Sequence, residues 1–83
     1  MVNNNKPDVI ITPSNYLKSF KRIAHCLKEQ DKVNIGMTLK NKEVYDDLIK
    51  DLEVLDIKIK EVGYTKYKVS RYDAICITIS KRK

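Results

Sequence analysis

Lysines recur at alternate positions near the end of this chain. Counted in steps of two from Lys58, the residues are Lys60, Val62, Tyr64, Lys66 and Lys68. Residues two apart on a regular strand share a face, so four lysines and a tyrosine would project together. Tyr67, Arg71 and Tyr72 would join them from the turn and the returning strand. Lysine offers a point charge to a phosphate, arginine grips two phosphate oxygens at once, and tyrosine stacks on an unpaired base. A two-stranded ribbon is also narrow enough to enter a groove of B-DNA. The chemistry implied is contact with a polyanion, which weakens steeply as salt rises. Two plainer readings stand beside it. The lysines could merely blunt a sheet edge and keep a small chain soluble, and the tyrosines could pack against a neighbouring subunit.

Other reactive side chains offer less. His25 is the one histidine, and no serine, cysteine and carboxylate surround it in a recognised catalytic spacing. Cys26 follows it directly, but neighbours on a helix point about 100° apart, which argues against a dyad. Two cysteines, Cys26 and Cys76, fall short of the roughly four close ligands that zinc takes. Their spacing leaves a disulfide open, although a cytosolic chain would keep both thiols reduced. Gly36 and Gly63 stand alone and make no phosphate-cradling loop. The expectation is a protein that is not an enzyme and carries no cofactor and no metal.

Charge distribution sharpens the first reading. Residues 1–56 hold nine Lys/Arg against nine Asp/Glu, a net of zero. Residues 57–83 hold eight against two, so the whole net charge of +6 falls in the last third. Such asymmetry points to a polyanionic partner. The longest apolar runs are far shorter than the roughly 20 residues that cross a bilayer, and Asn3, Asn4, Asn5 and Lys6 occupy the place of a secretory core. The expected setting is nuclear or cytoplasmic, without membrane.

These side chains need elements to hold them. Eighty-three residues suffice for one domain, expected over 8–83 after a mobile polar tail at 1–7. Val9-Ile10-Ile11 reads as a short buried strand. Thr12 caps a first helix over about 14–29, with Pro13 at its first position. Tyr16, Leu17, Phe20, Ile23, Ala24 and Leu27 make its apolar stripe, and Lys18, Lys21, Arg22 and Lys28 lie off it. A second strand runs from Val33 to about Thr38, with Gly36 a bulge or close contact. Asn41 caps a second helix that buries Val44, Tyr45, Leu48, Ile49 and Leu52 and turns Asp46, Asp47, Asp51 and Glu53 outward. Ile57 and Ile59 face inward on a third strand, as do Ile75, Ile77 and Ile79 on a fourth, with Ala74, Cys76 and Thr78 outward. Apolar parity stops at Glu61, so the third strand is expected to leave the helices there as an exposed arm with its tip within Gly63–Arg71. The fold class is α/β, a two-layer β-α-β-α-β-β sandwich with a protruding hairpin of the last two strands.

The stretch Val9-Ile10-Ile11-Thr12-Pro13-Ser14-Asn15-Tyr16 and the stretch Arg71-Tyr72-Asp73-Ala74-Ile75-Cys76-Ile77-Thr78-Ile79, in this order of elements, resemble the Alba superfamily over about residues 8–82. The resemblance implies a fold like the C-terminal domain of translation initiation factor three. It implies a homodimer, or a heterodimer with a related Alba-like chain, that binds RNA or DNA. The superfamily includes archaeal chromatin proteins, protozoan RNA binders and paired small subunits of ribonuclease P and MRP. Its binding regions map here onto the loop Thr12, Ser14 and Asn15, onto Lys40 and Lys42 before the second helix, and onto Lys66–Arg71. Ile11-Thr12 replaces the basic pair of archaeal members, and Leu39-Lys40-Asn41-Lys42-Glu43-Val44 replaces their glycine-containing approach to the second helix. Both departures point towards a eukaryotic, RNA-binding member. The alternative is a protein-interaction subunit of a larger ribonucleoprotein, such as a ribonuclease P/MRP-type complex, with little nucleic-acid binding alone.

Overall fold

The computed structural model describes residues 7–81. The expected mobile tail lies outside these residues except for Pro7. Strand β1 (Val9–Ile10) leads through a 3-10 turn (Pro13–Asn15) into helix α1 (Tyr16–Glu29). Strand β2 (Lys32–Thr38), a second 3-10 turn (Leu39–Asn41) and helix α2 (Lys42–Val54) follow, and β3 (Ile59–Val69) and β4 (Tyr72–Lys81) close the chain. The sheet order is β1-β2-β4-β3. β1 pairs parallel with β2, whereas β4 pairs antiparallel with β2 and with β3. The strand inserted between β2 and β3 is thus the last one made. Its alternating isoleucines suit a central position, because β4 is flanked by a partner on each side.

One face of the sheet carries both helices. Ile23 and Leu27 from α1, and Tyr45, Leu48 and Leu52 from α2, meet Val33, Ile35, Met37, Ile75, Ile77 and Ile79 in a buried cluster. Apolar spacing explains these contacts: each helix puts three- and four-residue neighbours on its inner side. Leu17 departs from expectation and is 71 % exposed, since it lies at the margin of the α1 stripe. Ile10 is likewise exposed, because β1 is an edge strand and its alternate residue faces away from the helices.

The starts of the helices differ. Thr12 accepts from the Asn15 N–H while Asn15 Oδ1 accepts from the Thr12 N–H at 2.8 Å, a reciprocal cap. Asn41 occupies the cap position of α2, but its side chain makes no cap hydrogen bond. The end of α2 is closed by backbone bonds from Asp56 to Glu53 and from Ile57 to Leu52, both 2.9 Å. Asp56 has φ of 64°, a left-handed cap position more often filled by glycine.

The far face of the sheet has its own cover. Ala74 and Cys76 do turn away from the helices, as expected, yet both are buried. Tyr67 pairs with Ala74, and Gly36 pairs with Cys76. A Cβ on Gly36 would lie 2.7 Å from Pro7 Cγ and 2.8 Å from the Tyr67 hydroxyl, so only glycine admits both.

Candidate nucleic-acid interface

The third strand does not stay regular. Glu61 pairs with Ile79 and Gly63 pairs with Thr78, which leaves Val62 as an extra residue in a bulge. Directly opposed residues share a face. Lys60, opposite Ser80, therefore lies on the sheet face away from the helices, and Lys58 precedes the strand in the same parity. Beyond the bulge the parity inverts: Tyr64 opposes Ile77, Lys66 opposes Ile75 and Lys68 opposes Asp73, all on the helix-bearing face. The expected single row of four lysines and a tyrosine is thus cut in two, with Lys58 and Lys60 behind and Tyr64, Lys66 and Lys68 in front.

The arm is also shorter than expected. β3 is hydrogen-bonded to β4 from Ile59 to Val69, and β4 is held on its other side by β2 as far as Ala74. Only the tip, about residues 68–73, runs past β2. Glu61 does not begin a free arm, because its carboxylate accepts a 2.6 Å hydrogen bond from the Tyr45 hydroxyl and ties β3 to α2. The turn is Ser70-Arg71, with Ser70 at φ of 56°. Arg71 is exposed there.

Lys68 Nζ lies 3.4 Å from an Asp73 carboxylate oxygen, an exposed ion pair of small worth that a phosphate could displace. Lys66 is exposed and has no salt bridge among the described residues. Tyr64 and Tyr72 are the exposed rings of the hairpin, at 57 % and 62 %. Tyr67 is half-buried against the far face, and burial there raises its phenol pKa. Its ring is packed rather than offered.

The turn before α2 meets the hairpin tip. Lys40 Nζ sits 5.8 Å from the centroid of the Tyr72 ring, within cation–π range. A recess of about 220 Å³ beside them is lined by Leu39, Lys66, Tyr67, Asp73, Ala74 and Ile75. Lys42 is directed elsewhere, 3.0 Å from Asp46 and over the Tyr45 ring. In the loop before α1, Thr12 and Asn15 spend their side chains on the cap, and Asn15 also donates to the Ile10 carbonyl at 3.0 Å. Ser14 is exposed, its hydroxyl 3.1 Å from that of Thr12. The structure therefore gathers Lys40, Lys66, Lys68, Arg71 and Tyr72 at one end, and leaves Lys58, Lys60 and Lys42 apart.

Charge counted along thirds of the chain concealed one feature. Helix α1 carries four Lys/Arg against one Glu, a net of +3, whereas α2 carries two Lys against five acids, a net of −3. The neutral first 56 residues are a basic helix beside an acidic one. Counting by element instead of by third would have found this.

His25 is exposed on α1, and Cys26 and Cys76 are free thiols. Burial, then the nearby Asp8 charge, raises the Cys76 thiol pKa. Among the described residues there is no cluster of three or more His, Cys, Asp or Glu placed to hold a metal, and no helix is long and apolar enough to cross a membrane.

The chain is a small α/β domain with two helices on a four-stranded mixed sheet, cationic at one hairpin end. Its fold is Alba-like: it is similar to the crystal structure of ALBA1 from Trypanosoma brucei, with a TM-score of 0.67, 12 % identity, and coverage of 92 % of this chain and 71 % of that one. No family model matches the sequence, and no curated protein does.

Proposed function

We propose that this protein binds nucleic acid without catalysis, RNA ahead of DNA, through the end of the β3–β4 hairpin and the turn before α2. The observation that carries the reading is the grouping of Lys40, Lys66, Lys68, Arg71 and the exposed Tyr72 at the hairpin end, where Lys40 lies by the Tyr72 ring and Lys66 lines a recess with Leu39 and Ile75. Phosphates would meet the lysines and arginine. An unpaired base would stack on Tyr72 or enter beside Leu39 and Ile75, and such splayed bases are far commoner in RNA than in duplex DNA. The Alba-like fold is consistent with this use. In this reading Thr12 and Asn15 shape the loop before α1, and Ser14 presents its hydroxyl to the backbone of the ligand.

The working form in this reading is a dimer, with itself or with a related chain. Val54 is 83 % exposed at the end of α2, and Leu55, Val62 and Tyr64 are exposed nearby in sequence. Apolar side chains of that size in solvent suit a protein interface. The same residues favour the second reading, a protein-interaction subunit within a larger ribonucleoprotein.

A salt titration separates the two. Direct binding loses affinity with a log–log slope of about −0.7 to −0.9 per phosphate contact. Replacing Lys66, Lys68 and Arg71 together with alanine should make that slope shallower by roughly 2 to 3. An isolated protein with no salt-sensitive affinity for RNA or DNA at low ionic strength would instead establish the interaction subunit.

A further inference from the structure

The outward face of α1 has no part in the hairpin site. Lys18, Lys21, Arg22, His25 and Lys28 are all exposed, while Ser19, Ile23 and Leu27 are buried on the opposite side. At 100° per residue the five basic side chains fall within one arc of about 120°. Glu29, in the last turn, is the one acid of the helix. Among the described residues no salt bridge involves an α1 cation.

Solvated helices usually intersperse the two signs, as α2 does where Lys42 meets Asp46 four residues on. Here Lys18 and Arg22 stand four apart and Lys18 and Lys21 three apart, spacings at which like charges repel. The repulsion is relieved when a polyanion lies along the face. Lys18 and Arg22 also border a recess of about 250 Å³ shared with Asp8, Val9, Ile10, Asn15 and Ser19. The Asp8 carboxylate there already accepts from the Asn34 N–H at 3.0 Å.

This face is separated from the hairpin. Tyr16 of α1 donates to Asp51 of α2, and Tyr45 of α2 donates to Glu61 of β3, so α2 lies between α1 and β3. Its exposed Asp46, Asp47, Asp51 and Glu53 form an acidic divide. A single strand of nucleic acid meeting both basic surfaces by this route would have to cross that divide.

We infer that the outer face of α1 is a second nucleic-acid-binding surface, taking the phosphate backbone of a segment distinct from the one at the hairpin. Lys18 to Lys28 span about 15 Å along the helix. Over that length its four permanent cations can meet successive phosphates of one backbone strand. The inference goes beyond the hairpin reading and rests on a different element.

The test uses a short fluorescent RNA duplex with a single-stranded overhang and compares four forms of the full chain across about 50 to 200 mM salt. These are the wild type, Lys18→Ala/Lys21→Ala/Arg22→Ala/Lys28→Ala, Lys66→Ala/Lys68→Ala/Arg71→Ala, and the two sets combined. Exposed helix positions accept alanine, and circular dichroism verifies that each form is folded. The α1 substitutions should make the salt slope shallower by about 3, in both the wild-type and the hairpin-substituted background. An α1 variant that matches its parent in both backgrounds overturns the inference. A hairpin variant that matches wild type, while the α1 set still flattens the slope, refutes the hairpin reading alone. Complete absence of salt-sensitive binding by the wild type refutes both. Phosphatidylserine vesicles form the control: vesicle binding abolished by the α1 set, with RNA binding unchanged, assigns the face to a membrane surface and also overturns the inference.

Discussion

At Gly36 a single methyl group separates a close-packed sheet from a strained one. The Cβ of Gly36→Ala would press within 2.8 Å of both the Pro7 ring and the Tyr67 hydroxyl. Overpacking of this kind typically costs about 1–3 kcal/mol, so denaturant unfolding of Gly36→Ala should show a lower midpoint with an unchanged slope. Tyr67 is displaced in the process, and the hairpin is its support. Asp56 offers the opposite case. Its φ of 64° is unfavourable for a side-chain-bearing residue, and Asp56→Gly relieves that strain at an exposed helix end. A gain of up to about 1 kcal/mol is expected, read from the same unfolding curves. The sequence marked Gly36 as a bulge or close contact, because an isolated glycine among β-branched residues has few other reasons to be there. It could not mark Asp56, since nothing in the residue type announces a left-handed cap.

Elements were legible where their period was long and uninterrupted. Helix α1 was expected over 14–29 and runs Tyr16–Glu29 behind its 3-10 turn, because six apolar residues repeat at helical spacing. The alternation of Ile75, Ile77 and Ile79 likewise identifies the inner face of β4. The third strand defeated the same reasoning at one residue. Val62 is apolar and even-numbered, so it looked like one more member of the row, yet as the bulged residue it inverts all that follows. Bulges are set by pairing across strands, which a count along one strand does not see. The Tyr45–Glu61 bond explains why an acid stands at an inward position just before the bulge. Burial first, then the bond to Glu61, raises the Tyr45 phenol above its ordinary pKa of 10.0. Tyr16 is raised in the same way by burial and then by its bond to Asp51. The folded state thus keeps these protons at pH values where the unfolded chain releases them. The associated stability is complete below about pH 10 and is lost as pH rises beyond it. Unfolding midpoints measured from pH 8 to 11 should therefore fall at the alkaline end, and the fall should be smaller in Tyr45→Phe.

Across the whole molecule the cations lie in separate places, which the net charge of +6 does not reveal. The hairpin end carries Lys66, Lys68 and Arg71 with Lys40 and Tyr72 beside it, α1 carries its own row, and acidic α2 stands between α1 and β3. The central claim is that nucleic acid meets the hairpin end. Amide chemical shifts recorded during titration with a single-stranded RNA test it residue by residue. The largest changes should fall at Leu39–Asn41 and Lys66–Asp73, and should fade as salt is raised. Changes centred on the acidic outer side of α2, or none at any ratio of RNA to protein, would contradict the account.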